Sequence, residues 1–570
     1  MKDQLKQKIT EALNNLGIDA ASFSLDRPDN ADHGDYSTNV ALATAKQAGK
    51  NPRALAEEIV AELENNKGDL ISKIEIAGPG FINFFFAENA FETLVVDALK
   101  NEQFGANELF VGKKVMVEYT QPNPFKPFHI GHLMSNAIGE AISRVVEFSG
   151  ATVVRANYQG DVGLHVAKSI WQIQKKNGDY KTRFANDPSK AAEWIGQCYS
   201  EGSNAYDSDE SIKAEIDALN KIIYEKTDAE VNAIYDWGRA VTLEAFEIIY
   251  AKLGTKFDQY FFESEMANIG SKVVHENTPN VFEESDGAIV FKAENYDPKL
   301  HTRVFISSKG LPMYEAKEIG LTMTKFEKYN PDLSIMTTAI EQGEYMKVVR
   351  KAIEQINPSF AERMTHITHG MMKLATGKMS SRKGNVITGE SLIADSIESV
   401  GEIMAAREHK EDVSHADIEK IGIGALKYSI LKQEIGGDII YDPETSISFD
   451  GDAGPYLQYM VVRIESIKRK AESVGVTLSE KRNAGAVTPL ERELLYFTDI
   501  VHRAANDLRP HHIAQYAISL SRAFSSFYES TKVADPENPE SGYRLALVEA
   551  TGKVLSKCLE LLGIKIPERM

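Results

Sequence analysis

The stretch "KKVMVEYTQPNPFKPFHIGHLMSNAIGEAISRVVEFSGATVVRANY", residues 113–158, decides the fold. Its opening, Val115 to Tyr119, is a short β-branched run that predicts a strand. Pro122, Pro124 and Pro127 keep the following backbone extended. From about Gly131, Leu133, Ala137, Ile138, Ala141, Ile142, Val145 and Val146 form one broad apolar helical face, which Gly150 ends. "ATVVRANY" then supplies a second strand. Strand, loop, helix and strand make a βαβ unit, and that implies a parallel sheet. Open parallel sheets bind ligands beyond the carboxyl ends of their strands, where "PNPFKPFHIGHL" (122–133) would sit.

Outward from this unit, residues 1–105 predict an N-terminal α+β domain. It has an amphipathic opening helix carrying Leu5, Ile9, Leu13 and Leu16, a second helix around "NPRALAEEIVAELENN", and a strand pair around "SKIEIAGPGFINFFF" turning at Gly78-Pro79-Gly80. Residues 106–390 predict an α/β domain interrupted at about 170–255 by a charged, helical insertion. Strands return at "GAIVF", "TRVFI" and "LSIMTTA". From 391 to 570 the pattern is almost wholly amphipathic helix with short polar breaks, which predicts an all-α bundle.

A chain of 570 residues exceeds one hydrophobic core and suggests roughly three or four domains. Its 43% apolar and 26% charged content is that of a globular protein. No apolar run is long enough for a bilayer, and the charged N-terminal helix is unlike a signal peptide, so a cytoplasmic enzyme without a membrane partner is expected. Cys198 and Cys558 are the two cysteines, far apart, so neither a disulfide framework nor a zinc knuckle is expected. The net charge of −19 does not exclude nucleic acid, because phosphate affinity depends on local basic patches.

Two loops carry the chemistry. In "HIGHL", His129 and His132 flank Gly131 at a helix N-terminus, where unpaired N–H groups favour phosphate and a glycine allows close backbone approach. Imidazoles there can hydrogen-bond phosphate oxygens as charge shifts during attack at phosphorus. In "GKMSSRKGN", Lys378, Arg382 and Lys383 stand between glycines with the hydroxyls of Ser380 and Ser381, a composition suited to pyrophosphate. Taken singly, a histidine pair more often caps a helix and a basic turn is more often a solvated surface.

The pair "HIGH" (129–132) and "KMSSR" (378–382) resembles the two nucleotide-binding motifs of class I aminoacyl-tRNA synthetases, in the order that family requires. Ser381 stands where the second motif commonly has its second lysine, and Arg382 or Lys383 is positioned to replace that charge. Further pieces, "GDYSTNVA", "GPGFINFFF", "VEYTQPNPFKPFHIGHL", "NYQGDVG", "FDGDAGPYLQY" and "LLGIKIPERM", resemble the arginyl members nearly end to end. The resemblance implies a split Rossmann parallel-sheet catalytic domain between an N-terminal α+β domain that contacts tRNA and a C-terminal anticodon-binding bundle. It implies ATP with Mg²⁺ as substrate, L-arginine and tRNA as the other partners, no structural zinc, and a monomer. It assigns Asn123 and Gln342 to the α-amino and carboxylate end of arginine. Glu263, Tyr314 and Glu318 fall to the guanidinium, with Glu118 supporting from the strand end. ATP falls to His129, His132, Lys378 and the segment Gly370, Met371 and Met372. Glu318 stands where the family usually has Asp, and Tyr345 where a His is common. A guanidinium fork needs carboxylates in matching geometry, which agrees with an acidic pocket. Tyr456, Tyr459, Tyr516 and Tyr528 are candidates for stacking on tRNA bases, or for core packing. A cysteinyl- or methionyl-type synthetase, a nucleotidyltransferase and a non-catalytic tRNA-binding paralogue remain the alternatives.

Overall fold

Strand β1 (Lys114–Glu118) lies at the middle of a five-stranded parallel sheet. It leads into helix α1 (Ile130–Phe148), and the chain returns as β2 (Thr152–Gln159), with Lys114 opposite Thr152 and Glu118 opposite Ala156. After the insertion come β3 (Gln259–Phe262), helix α2 (Glu263–Glu276), helix α3 (Tyr314–Tyr329), β4 (Leu333–Ala339), helix α4 (Gly343–Ile356) and β5 (Met364–His369). The spatial order is β5-β4-β1-β2-β3, every pair parallel. The order reverses between β1 and β4, and a crevice opens at such a switch point beyond the strand ends. The computed structural model describes residues 1–19, 22–176, 178–375, 388–406 and 413–570.

The loop from β1 to α1 is held in an uncommon backbone. Thr120, Gln121 and Phe125 have φ of 77°, 53° and 68°, the left-handed region that side chains disfavour. Specific bonds offset that strain. The Thr120 N–H donates to Ser135 Oγ (3.0 Å), the Gln121 N–H to Asn157 Oδ1 (3.2 Å), and Ser135 Oγ donates onward to the Thr337 carbonyl (2.9 Å). Phe125 is fully buried in the core of the insertion, against Val166, Ile170 and Ile195. The helices Leu164–Lys176, Pro188–Ser208, Glu210–Glu225 and Ala229–Leu253 build that core, so the insertion buttresses the loop.

The chain divides into two compact units. One comprises Ala106–Val462, Val501–Gln515 and Cys558–Met570, and holds the parallel sheet. It also contains an antiparallel sheet of Glu283–Ser285, Ala288–Phe291 and Arg303–Ile306. The C-terminal segment is pinned within it: buried Lys427 Nζ donates to the carbonyls of Leu253 (2.5 Å) and Gly563 (2.7 Å). The other comprises Met1–Gly105, Arg463–Ile500 and Tyr516–Lys557. Its four-stranded antiparallel sheet runs in the order Leu25–Asp26, Tyr36–Thr38, Phe81–Phe86 and Ile71–Ala77. The helical stretch from 391 onward is thus shared between the two units. Tyr516 is core, stacked on Phe497 (5.6 Å) with its hydroxyl on the Glu493 carbonyl (3.0 Å), whereas Tyr456, Tyr459 and Tyr528 are half-buried.

Candidate active site

His129 is the N-cap of α1 and His132 its third residue, and the two form a reciprocal capping box. The His132 N–H donates to His129 Nδ1 (3.4 Å) and the His129 N–H to His132 Nδ1 (3.2 Å), while the rings stack 3.4 Å apart. Capping and catalysis are therefore not rivals here. Because both Nδ1 atoms accept, each neutral ring carries its proton on Nε2, and that N–H is the donor each histidine keeps for another partner. Desolvation, followed by the charges of Lys126 and His369, pushes His129 down to about 4. Burial, then His129 and Lys126, holds His132 well below its ordinary value. At neutral pH the pair donates without positive charge. A Cβ on Gly131 would lie 3.0 Å from the His129 ring, so glycine makes room for the stack as well as for any nucleotide.

The second loop, with Lys378, Ser380, Ser381, Arg382 and Lys383, lies outside the described residues. Its C-terminal flank does not: Thr388 bridges His129, and the Gly389 N–H donates to the Phe128 carbonyl (2.8 Å). The far root of that loop therefore starts beside the first motif.

Acidic groups gather at the ends of β1 and β3 and on α3. Glu118, Glu263 and Glu318 are all buried, and so are two lysines absent from the sequence expectations, Lys317 and Lys325. Glu118 accepts from Gln121 Nε2 (2.6 Å) on one oxygen and pairs with Lys325 through the other. Glu263 pairs with Lys317 at 2.7 Å. Burial works against the Lys317 charge, but Glu263 and Tyr224 outweigh it and leave the ammonium above its ordinary pKa. Two lysines thus neutralise two carboxylates, and Glu318 remains. It accepts the Tyr345 hydroxyl at 3.3 Å. Burial first, and then the neighbouring charge of Glu118, pushes Glu318 up to about 8, with Lys325 opposing.

The other expected residues fall around this cluster unevenly. Asn123 Oδ1 accepts from the Gly160 N–H at 3.1 Å, and a Cβ on Gly160 would strike both Asn123 (2.5 Å) and Glu263 (2.9 Å). Gly160 therefore brings the two side chains together at the end of β2. Tyr314, at the start of α3, is 57% exposed, with the Lys317 ammonium 5.1 Å from its ring centre. Gln342 is exposed in the short turn Ile340–Gln342 after β4. Gly370 follows β5 and packs against the Gly437 backbone. Met371 is exposed, but its N–H donates to Asp438 Oδ1 (2.8 Å) and its carbonyl accepts from Ile439 (2.8 Å), while Met372 is buried. Both main-chain groups of Met371 are already engaged. What this segment offers a nucleobase is the exposed Met371 side chain and the carbonyl's second lone pair.

Lys317, Lys325 and Asp161 escaped sequence reasoning. Asp161 sits in "NYQGDVG" and accepts from Ser264 N (2.9 Å), Ser264 Oγ (2.8 Å) and Arg239 Nε (2.9 Å), tying β2, α2 and the insertion together. Only the motif itself signalled it.

Comparison with known proteins agrees with this architecture along the whole chain. The family model described as tRNA synthetases class I (R), catalytic domain, matches residues 94–442. The DALR anticodon binding domain matches 457–570 and the arginyl tRNA synthetase N terminal domain 3–86. Curated arginine–tRNA ligases of Streptococcus suis and Streptococcus pneumoniae are each 30% identical over 100% of both chains, and that of Borreliella afzelii is 29% identical over 99% of this chain and 98% of its own. The solved Thermus thermophilus arginyl-tRNA synthetase has a TM-score of 0.80 at 24% identity over 100% of both chains. The Plasmodium falciparum enzyme has 0.78 at 23% over 100% and 98%. Neither the cysteinyl or methionyl alternative nor the nucleotidyltransferase gains support, since the matching catalytic model is the arginine type. With the catalytic model matching residues 94–442 and relatives 30% identical over the whole chain, the chain belongs to the arginyl-tRNA synthetase family of class I.

Proposed function

We propose that the protein joins L-arginine to the 2′-hydroxyl of the terminal adenosine of tRNA in two steps. The arginine carboxylate attacks the α-phosphorus of ATP, giving arginyl-adenylate and pyrophosphate. The ribose hydroxyl then attacks the activated carbonyl and AMP leaves. One observation carries the arginine assignment: three buried carboxylates share two lysines, so Glu318 is left without a cation and holds a proton instead. A guanidinium arriving there takes the proton's place. Glu263 and Tyr314 flank it, Asn123 and Gln342 take the α-amino and carboxylate end, and Glu118 acts through Lys325. His129 and His132 donate from Nε2 to phosphate oxygens as charge builds, so catalysis is positioning plus charge stabilisation. Lys378, Ser380, Arg382 and Lys383 meet the pyrophosphate from the second loop. Mg²⁺ enters with ATP as part of the substrate; among the described residues no cluster of three metal-ligating side chains exists.

Residues 1–105 and the C-terminal helices contact tRNA, and the protein works as a cytoplasmic monomer. The family resemblance adds that adenylate formation needs bound tRNA. Charging total tRNA with each of the twenty amino acids tests the whole reading. Arginine alone should be attached, and ATP–pyrophosphate exchange with arginine should be negligible until tRNA is added. Attachment of a different amino acid would overturn the assignment, and strong exchange without tRNA would overturn the ordering.

A further inference from the structure

Tyr158, next to last in β2, packs with Met116, Phe261, Met266 and Leu321 between the sheet and helices α2 and α3. The residue is 7% exposed, and its hydroxyl has no hydrogen-bond partner among the described residues. A buried hydroxyl left unpaired costs stability, so a fold that keeps one has a use for it. Its surroundings say which use. Its packing partners Met266 and Leu321 stand one turn along α2 and α3 from Glu263 and Glu318, and burial, followed by the charges of Glu263, Glu318, Tyr345 and Glu118, holds the phenol's pKa well above its ordinary value and keeps it protonated. Those groups are largely committed elsewhere: Glu118 to Gln121 and Lys325, Glu263 to Lys317, and Glu318 to Tyr345.

We propose that Tyr158 is a specificity-determining residue whose hydroxyl oxygen accepts an N–H of the substrate's guanidinium beside Glu318. This rests on the reading of the acidic cluster as the arginine side-chain site. A guanidinium carries five N–H donors in one plane, and Glu318, with one oxygen shared with Tyr345, satisfies only part of them. Tyr158 supplies a further acceptor from the sheet floor. A lysine ammonium presents three donors from a single point and cannot span the carboxylate and the phenol as a fork does, so the tyrosine stays unpaired and lysine is disfavoured.

Tyr158→Phe removes only that oxygen. In the charging assay the arginine KM should rise roughly tenfold, the loss of one hydrogen bond to a charged group, with kcat and the ATP KM within about twofold. The inhibition constant of lysine should hardly change, so the preference for arginine over lysine narrows by the same roughly tenfold factor. Because the hydroxyl is unpaired in the free chain, Tm should not fall. An unchanged arginine KM, or a raised one accompanied by a Tm several degrees lower, would overturn the proposal. Glu318→Gln run alongside separates the two levels. If it raises the arginine KM and Tyr158→Phe does not, only the tyrosine's role fails; if neither moves it, the arginine pocket itself is misassigned.

Discussion

Glu318 stores its affinity as a proton. Its pKa of about 8 against an ordinary 4.5 means that between these values the folded chain holds a proton that the unfolded chain has released. Stability is therefore greatest below the lower value and falls as pH rises through this window. The charged groups acting on it are Glu118 and Glu263, which favour the proton, and Lys325, which opposes it; the Tyr345 hydroxyl favours the anion. An arriving guanidinium must expel that proton, so the arginine KM should fall as pH rises from 7 towards 9, by at most about tenfold per unit below the pKa and levelling above it. Glu318→Gln should raise the arginine KM at pH 8, flatten this dependence and raise Tm more at pH 8 than at pH 5. A pH-independent arginine KM in the unaltered protein would exclude the mechanism. The sequence made the acidic residues legible but not their balance. Lys317 and Lys325 lie 54 and 207 positions from Glu263 and Glu118, and nothing local marks them as buried. The histidines were legible by motif, while their reciprocal capping depends on ring orientation that spacing alone does not reveal.

Elements deliver these residues through close backbone approach. Helices α2 and α3 carry Glu263, Lys317 and Glu318, and cross where Gly270 meets Gly320: a Cβ on Gly270 would fall 1.8 Å from the Ala316 carbonyl oxygen, and one on Gly320 2.3 Å from that of Met266. Neither clash can be relieved by a side-chain rotation, because the obstacle in each case is backbone. Gly270→Ala should therefore force the helices apart, costing about 1–3 kcal/mol as overpacking does, and should spread Glu263 from Glu318. The expected readout is a Tm lower by several degrees with an arginine KM raised more than the ATP KM, since His129 and His132 stand on a different helix. Equal rises in both would show that the crossing does not set the acidic pocket. The βαβ unit was readable because its periods of two and 3.6 are local and its prolines mark the join. The crossing was not, because a glycine inside a helix signals a cost without naming the partner 50 residues away that requires it.

At the scale of the whole molecule, Met1–Gly105 forms one unit with Arg463–Ile500 and Tyr516–Lys557 although more than 350 residues separate the first segment from the second. Sequence periodicity marks where each helix begins and which face is apolar, yet cannot say which other segment covers that face. The unit holds together through polar contacts as well as apolar ones: Tyr36 donates to Asp499 (2.9 Å), Arg27 pairs with Glu493 (2.8 Å), and Asp35 pairs with Arg492. Asp35 is the most demanding of these. It is fully buried, accepts the Phe86 N–H at 2.7 Å on one oxygen and meets the guanidinium with the other, so its loss strands a backbone donor and a cation together. Leaving the buried backbone donor unpaired and the partly exposed guanidinium without its partner costs about 1–3 kcal/mol, a sizeable share of a domain's margin. Asp35→Ala should therefore lower the unfolding temperature of this unit and open the helices Pro489–Leu495 and Phe497–Asp507 to limited proteolysis. Since the arginine and ATP groups all lie in the other unit, KM for both should change less than about twofold while KM for tRNA rises severalfold. A matching rise for arginine would mean that the two units do not divide the work between tRNA and the small substrates.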